Sequence, residues 1–150
     1  MKKLLVPVDG SECSLRAVRH LVGKGSGAAL PGTVEIHLVN VQPGLPGDIT
    51  RFVSREQVAG YHRDESEKEL AEAKQLLDAA GARYEAHAEV GPLAETIVKL
   101  ADRLGCDEIV MGARGRTALA EFLMGSTVTR VVPLARVPVL LVQSPEARGR

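Results

Sequence analysis

Short apolar runs alternate with amphipathic segments along most of the chain. The first run, residues 3–8, stops at the charged Asp9, which predicts a buried strand followed by a turn. Leu15 and Val18 then begin an apolar series that keeps a helical period, and Ser11 or Asp9 can cap the helix at its start. The sequence therefore opens with a predicted β-α unit.

The same alternation continues toward the end of the chain. It predicts strands at residues 34–41, 82–90, 108–111 and 137–142, and helices at residues 54–80, between Gly91 and Gly105, and from Ser126 to about Leu134. Glycine and proline pairs between residues 42 and 51 predict a long mobile loop, and the half-polar strand at 82–90 is expected near a sheet edge. Strands that alternate with helices indicate a parallel sheet covered on both faces. We therefore predict one doubly wound α/β domain over residues 1–150.

Three of the predicted strands end in residues suited to a ligand site. In open parallel sheets, ligands bind beyond the carboxyl ends of the strands, where the winding direction reverses. Asp9, Val41 and Gly112 each stand at such an end. Three separate segments are therefore predicted to meet at one crevice.

Glycines are spaced around the predicted turn from the fourth strand to the last helix. Gly112, Gly115 and Gly125 are followed at once by Ser126 and Thr127. Glycine allows positive φ and close approach of an anion to the main chain, and the following helix start offers unpaired amides and Ser126 as its cap. This pattern predicts a phosphate site, although a surface loop punctuated by glycine would look the same. Arg114 and Arg116 between the glycines are either phosphate donors or solvated loop charges.

Composition narrows the classes of partner. The chain of 150 residues has 19 basic and 19 acidic side chains and 3% aromatic residues, which disfavours nucleic acid as a principal partner. No stretch reaches the length of a membrane span, and the opening apolar run is too short for a signal peptide. Cys13 and Cys106 have no metal-ligand spacing, which suits a reducing compartment. We expect a cytoplasmic protein with no membrane partner.

The sequence lacks the residue patterns that usually support rapid catalysis. The four histidines fall in different predicted elements without paired spacing, no GxSxG or HExxH motif occurs, and no lysine precedes Ser126 as it would in a P-loop. We predict no catalytic residue and no dedicated metal-ligand set, so binding without rapid turnover is expected. Asp9 can be a ribose or metal ligand, or simply the helix cap. Cys13 can be a reactive thiol in the first helical turn or a packed, inert side chain.

The chain resembles the universal stress proteins of the ATP-binding kind. The opening Leu5-Val6-Pro7-Val8-Asp9-Gly10-Ser11, the signature Gly112-Ala113-Arg114-Gly115 with Gly125-Ser126-Thr127, and the closing strand from Val137 to Val142 all match that family. The resemblance implies a five-stranded parallel sheet in the order 3-2-1-4-5, with helices on both faces. It also implies a homodimer formed through the last strand, and ATP with Mg²⁺ in the crevice.

The resemblance also assigns roles to individual residues. Pro7, Val8 and Asp9 would lie beside the base and ribose, Val41 and Met111 would flank adenine, and Gly112, Arg114, Gly115, Gly125, Ser126 and Thr127 would hold ribose and phosphates. Members of the family usually act as nucleotide-dependent regulators of the stress response, with slow hydrolysis at most. Unidentified protein partners would respond to the bound nucleotide.

Two positions depart from the family pattern. Ala118 stands where the family often has glycine, which affects the expected shape of the loop between the glycines. Pro133 falls inside the last predicted helix, so that helix should kink or stop early. Phosphate geometry near Ser126 need not change.

Three functions fit these observations. The first is an ATP-binding regulatory homodimer, the second is a nucleotide-free dimeric interaction module of the same fold, and the third is an adenylating or ATP-cleaving enzyme. The missing general base and acceptor-substrate pocket disfavour the third.

Overall fold

A computed structural model describes residues 1–23, 33–113 and 125–143. Within these ranges the strands are β1 (Lys2–Pro7), β2 (Val34–Gln42), β3 (Tyr84–Val90), β4 (Glu108–Gly112) and β5 (Val139–Val142). The helices are α1 (Glu12–Val22), α2 (Gly47–Thr50), α3 (Arg55–Ala79), α4 (Leu93–Leu104) and α5 (Ser126–Leu134). Apart from the consecutive helices α2 and α3, strands and helices alternate through the described ranges, as the hydrophobic pattern predicts.

The five strands form one parallel sheet in the order β3-β2-β1-β4-β5, which confirms the predicted fold. β1 lies in the middle, with Leu5 paired to His37 of β2 on one side and to Ile109 of β4 on the other. Because the winding direction reverses between β1 and β4, the switch point of the sheet lies at their carboxyl ends.

Each face of the sheet carries its own core. On one face, Leu4 and Val6 pack with buried side chains of α1 and α3, Leu15 and Leu77 among them. On the other face, Leu5 packs with buried side chains of α4 and α5. They are Ala94, Ile97, Val98, Leu100, Ala101, Val128 and Val131. Burial on both faces explains the continuous apolar runs of the central strands.

Helix caps show how the sequence sets the ends of the helices. The Ser11 hydroxyl accepts a hydrogen bond from the Ser14 amide at 3.2 Å, so Ser11, and not Asp9, is the cap of α1. Ser54 and Gln57 form a reciprocal capping box at the start of α3. α4 ends at Gly105, whose φ of 69° is left-handed, as expected for a glycine at this position.

Some predicted boundaries are wrong. The loop predicted between residues 42 and 51 contains the short helix α2, whose start is favoured by Pro46 at the cap and Asp48 in the first turn. β5 starts at Val139 instead of Val137, because Pro138 has no N–H for the ladder and contributes its carbonyl to the Ile109 amide at 3.0 Å.

The last helix differs from its prediction at one end and agrees at the other. Gly125 is the cap of α5, and the predicted cap Ser126 is the first helical residue. Pro133 lies in the final turn, and the helix stops one residue later, at Leu134. The early stop is the expected effect of a proline ring and its missing N–H.

Candidate functional site

A crevice opens at the switch point, beyond the carboxyl ends of β1, β2 and β4. It is lined by Pro7, Val8, Asp9, Ser11, Cys13, Ser14, Val39, Val41, Leu93, Met111, Gly112, Gly125, Ser126, Thr127 and Val128. Every predicted site residue that the structure describes is in this set. Arg114 and Gly115, like Ala118, lie outside the described residues.

The inner wall of the crevice is apolar. Val8, Val39 and Met111 are 3%, 1% and 5% exposed, and Val41 at the end of β2 is half-buried. Leu93, the first residue of α4, closes the same wall. Val39 and Leu93 follow from the fold rather than from any motif, which is why motif reasoning missed them. The wall suits a flat, largely apolar ring.

Asp9 is fixed at the mouth of the crevice by the turn that precedes α1. Its Oδ1 accepts a hydrogen bond from the Ser11 amide at 2.9 Å, and its own amide donates to Ser14 Oγ at 3.3 Å. Burial by itself raises the pKa of the Asp9 carboxyl, but hydrogen bonds from Ser11 and Ser14 and the local backbone outweigh it and leave the pKa lowered. Asp9 therefore presents a negative charge at neutral pH.

Gly112 at the end of β4 lies directly against the first turn of α1. A Cβ on Gly112 would overlap the Cys13 carbonyl oxygen and lie 2.7 Å from the Cys13 carbonyl carbon. The close packing of α1 against β4 therefore requires a glycine at this position, independently of any bound phosphate. Its φ is not positive, and the φ of Gly125 is −54°, so neither described glycine uses the left-handed freedom expected from the sequence.

Two side chains of α1 tie the end of β4 to that helix. Cys13 Sγ donates to the Gly112 carbonyl at 3.2 Å, and Arg16 Nη1 donates to the Ala113 carbonyl. This contact gives Cys13 a structural role, in agreement with the interpretation of Cys13 as a packed side chain.

The amino end of α5 faces the crevice. In the part of the chain that the structure describes, no side chain caps this helix, and the Thr129 amide is the first to bond within it, to the Gly125 carbonyl at 3.0 Å. The amides of Ser126, Thr127 and Val128 precede that bond, so they have no acceptor within the helix. Such a helix terminus carries partial positive charge and binds anions.

A buried polar network supports the crevice from the α3 side. The Asn40 side-chain amide donates to the Val8 carbonyl at 2.8 Å and to Glu69 Oε2 at 2.9 Å. Gln42 Nε2 donates to the same Glu69 oxygen at 2.6 Å, and the Ser66 hydroxyl donates to Asn40 Oδ1 at 2.9 Å. The polar residues Asn40 and Gln42 within the apolar run of β2 are the sequence signal for this network, but they do not reveal its partners on α3.

Comparisons with known proteins agree with this architecture. The family model described as the universal stress protein family matches residues 1–143. The chain belongs to the universal stress protein family. Universal stress protein MJ0531 of Methanocaldococcus jannaschii is 33% identical over 149 residues, which cover 97% of this chain and 84% of that protein.

Solved structures show the same fold. The structure of MJ0577, a universal stress protein of Methanocaldococcus jannaschii, superposes with a TM-score of 0.74 at 29% identity, covering 95% of this chain and 96% of that one. A universal stress protein in complex with cAMP superposes with a TM-score of 0.65 at 27% identity, covering 94% and 96% of the two chains. In the described ranges of this universal stress protein, no helix has the length and apolar character needed to cross a membrane.

Proposed function

We propose that this universal stress protein binds ATP in the crevice and acts as a nucleotide-dependent regulatory homodimer. The observation that carries the proposal is the convergence of three distant segments on one crevice with an apolar wall and a helix amino end. A universal stress protein that is 27% identical and was solved in complex with cAMP supports an adenine nucleotide as the ligand.

The two ends of the crevice suit the two ends of a nucleotide. Adenine would lie against Val8, Val41 and Met111, where an apolar ring loses contact with water. The phosphates would lie at the start of α5, where the amides of Ser126 and Thr127 could donate hydrogen bonds to their negatively charged oxygens. The proposed contacts of Arg114 and Gly115 with the phosphates stay predictions from the family resemblance.

The crevice also fits a magnesium ion bound together with the phosphates. Mg²⁺ prefers oxygen ligands and is often held by one or two carboxylates plus substrate phosphates. Asp9 supplies a carboxylate that stays ionised at neutral pH, because its hydrogen bonds lower its pKa. The ion would neutralise phosphate charge, while Asp9 would orient it.

The described lining favours retention of the nucleotide over rapid cleavage. None of the lining residues that the structure describes is a lysine or a histidine, so this part of the crevice offers neither a cation for the γ-phosphate nor an imidazole base. We infer slow hydrolysis at most. Binding would instead alter the surface that partner proteins meet.

The proposed dimer would form through β5, an edge strand of the sheet. Leu140 on this strand is 40% exposed, although its neighbours Val139 and Leu141 pack against the core. An apolar edge of this kind is suited to pairing with a second copy. The cytoplasmic location stays a prediction from composition.

Calorimetric titration of the purified protein with ATP, with and without Mg²⁺, tests the proposal. We expect saturable binding that Mg²⁺ strengthens, that GTP does not reproduce, and that Gly125→Val abolishes by placing a branched side chain at the phosphate end. Gly44→Ala is the control, because a Cβ at Gly44 meets no atom within 4 Å. Absence of binding at millimolar ATP would instead support the nucleotide-free interaction module, for which Gly125→Val would leave function in cells intact.

A further inference from the structure

A second group of chemically active side chains lies on β2 and β3, away from the crevice. His37 on β2 and Glu85 and His87 on β3 have donor atoms that all lie within 4.8 Å of one another. His37 Nδ1 is 3.0 Å from His87 Nε2 and 3.8 Å from Glu85 Oε2. None of the three residues lines the crevice.

The sheet brings these residues together through its register. His37 pairs with Glu85, and the next residue on the same face of β2, Val39, pairs with His87. The side chains at alternate positions share one face, so His37, Glu85 and His87 meet on the side covered by α4. His37 is 48 positions from Glu85 and 50 from His87 in sequence, so spacing along the chain gives no sign of the contact.

The contact with Glu35 selects the tautomer of the His37 ring. Its Oε1 lies 2.7 Å from His37 Nε2, and a carboxylate oxygen accepts a hydrogen bond, so the hydrogen of the neutral ring is on Nε2. The Nδ1 atom of His37 then directs a lone pair at the group formed with His87 and Glu85. A carboxylate that holds the far nitrogen of a histidine in this way is the usual second shell of a metal-bound imidazole.

The distances fit a small transition-metal ion. Zinc binds imidazole nitrogen and carboxylate oxygen at about 2.0–2.2 Å, so neighbouring ligand atoms of a tetrahedral site are about 3.3–3.5 Å apart. His37 Nδ1 is 3.0 Å from His87 Nε2 and 3.8 Å from Glu85 Oε2, values on either side of this range, and all three ligand atoms lie within 4.8 Å of one another. His37 is 3% exposed, while Glu85 is exposed, so the group is anchored on one side and open to solvent on the other.

We propose that His37, His87 and Glu85 bind a divalent transition-metal ion, with Zn²⁺ as the best match, and that Glu35 positions His37. Two imidazoles and one carboxylate favour zinc over Mg²⁺ or Ca²⁺, which prefer oxygen ligands alone. The nearby Glu89 is not counted as a ligand, because it forms an ion pair with Arg103 at 2.6 Å. A water molecule would complete the coordination on the open side.

Calorimetric titration of metal-free, untagged protein with Zn²⁺ tests this proposal. We expect one ion per chain, loss of this binding in His87→Gln and Glu85→Gln, and a 10- to 100-fold weaker affinity in Glu35→Gln, as is typical of second-shell changes. His20→Gln is the matched control, since His20 on α1 is half-buried like His87 and should bind zinc as the unchanged protein does.

Co²⁺ provides an independent readout. Its visible absorption should be that of a tetrahedral nitrogen and oxygen site, and Cys13→Ser should leave it unchanged. His87 lies on an edge strand and is only half-buried, so we expect His87→Gln to fold, which circular dichroism will check. Absence of zinc binding below millimolar concentration, thiolate-to-cobalt charge-transfer bands, or zinc binding by His87→Gln equal to that of His20→Gln would overturn the proposal.

Discussion

The side-chain amide of Asn40 donates a 2.8 Å hydrogen bond to the main-chain carbonyl of Val8. This bond crosses from the end of β2 to the residue that follows β1, so it fixes the distance between two walls of the crevice. The Val8 amide also donates to the Val39 carbonyl at 2.8 Å, and the two bonds together hold the segment before Asp9.

We predict that Asn40→Leu destabilises the protein by about 3 kcal/mol, because the Val8 carbonyl and the Glu69 carboxylate would lose a donor in a buried setting. Urea unfolding followed by circular dichroism measures the change. Gln75→Ala, at an exposed position of α3, should shift the free energy of unfolding by less than about 0.5 kcal/mol. Equal stability of Asn40→Leu and the unchanged protein would contradict a supporting role for this network.

Gly112→Ala is expected to lower the free energy of unfolding by about 3 kcal/mol or more, whether or not a nucleotide is present. The added methyl group would overlap main-chain atoms of Cys13, so either α1 or β4 must shift. Thermal unfolding without ligand measures the loss. Gly44→Ala has open space around the new methyl group and a φ that is not positive, so it should be neutral or slightly stabilising. An unchanged melting temperature for Gly112→Ala would show that the α1 contact tolerates a side chain.

Asp9 should make stability depend on pH in the acidic range. Its pKa is lowered in the folded protein from the ordinary value of 3.8, so its contribution is fully present above that value. The contribution is lost as the pH falls through the lowered pKa of the folded state. We therefore expect Asp9→Asn to be less stable than the unchanged protein at pH 7, and the difference to shrink in strongly acidic solution.

Urea unfolding of both proteins between pH 7 and the acid limit of folding measures this difference. Asp64→Asn, at an exposed position of α3, is the control and should show little difference at any pH. A difference for Asp9→Asn that grows as the pH falls would contradict the lowered pKa.

Leu140→Lys should weaken the proposed homodimer at least about tenfold, because it places charge on the exposed side of the β5 edge. Sedimentation equilibrium measures the dissociation constant. Val90→Lys is the matched control, since Val90 is 50% exposed on β3 at the opposite edge of the sheet. A monomer at micromolar concentration before any substitution would refute the dimer, and equal effects of the two lysines would assign it to another surface.

Local patterns predict those parts of the fold that depend on nearby residues. The start of α3 at Ser54 and the end of α4 at Gly105 follow from caps that need only a few residues, and the continuous apolar runs of β1 and β4 follow from burial on both faces. The order of the strands comes from the family resemblance. The nine-residue strand β2 can also be predicted from its apolar run. The role of its polar residues cannot, because it depends on partners in other elements.

Contacts between distant segments could not be predicted in this way. The contact between the His37 and His87 side chains depends on the register of β2 and β3, and the contact of Gly112 with Cys13 depends on the path of α1 across β4. The shift of the α5 cap from Ser126 to Gly125 is a one-residue difference that either residue type permits. The residue types at the strand ends thus indicate where the crevice lies. Which residues support its walls depends on packing between distant segments.

The shortness of β5 bears on how sheets can join at its edge. β5 is a strand of four residues, Val139–Val142, so a strand that adds along it meets few free ladder groups. So short an attachment zone suits a single, defined partner strand and works against the open-ended stacking of chains that produces fibres. The apolar margin can thereby serve a dimer without also promoting the growth of longer assemblies.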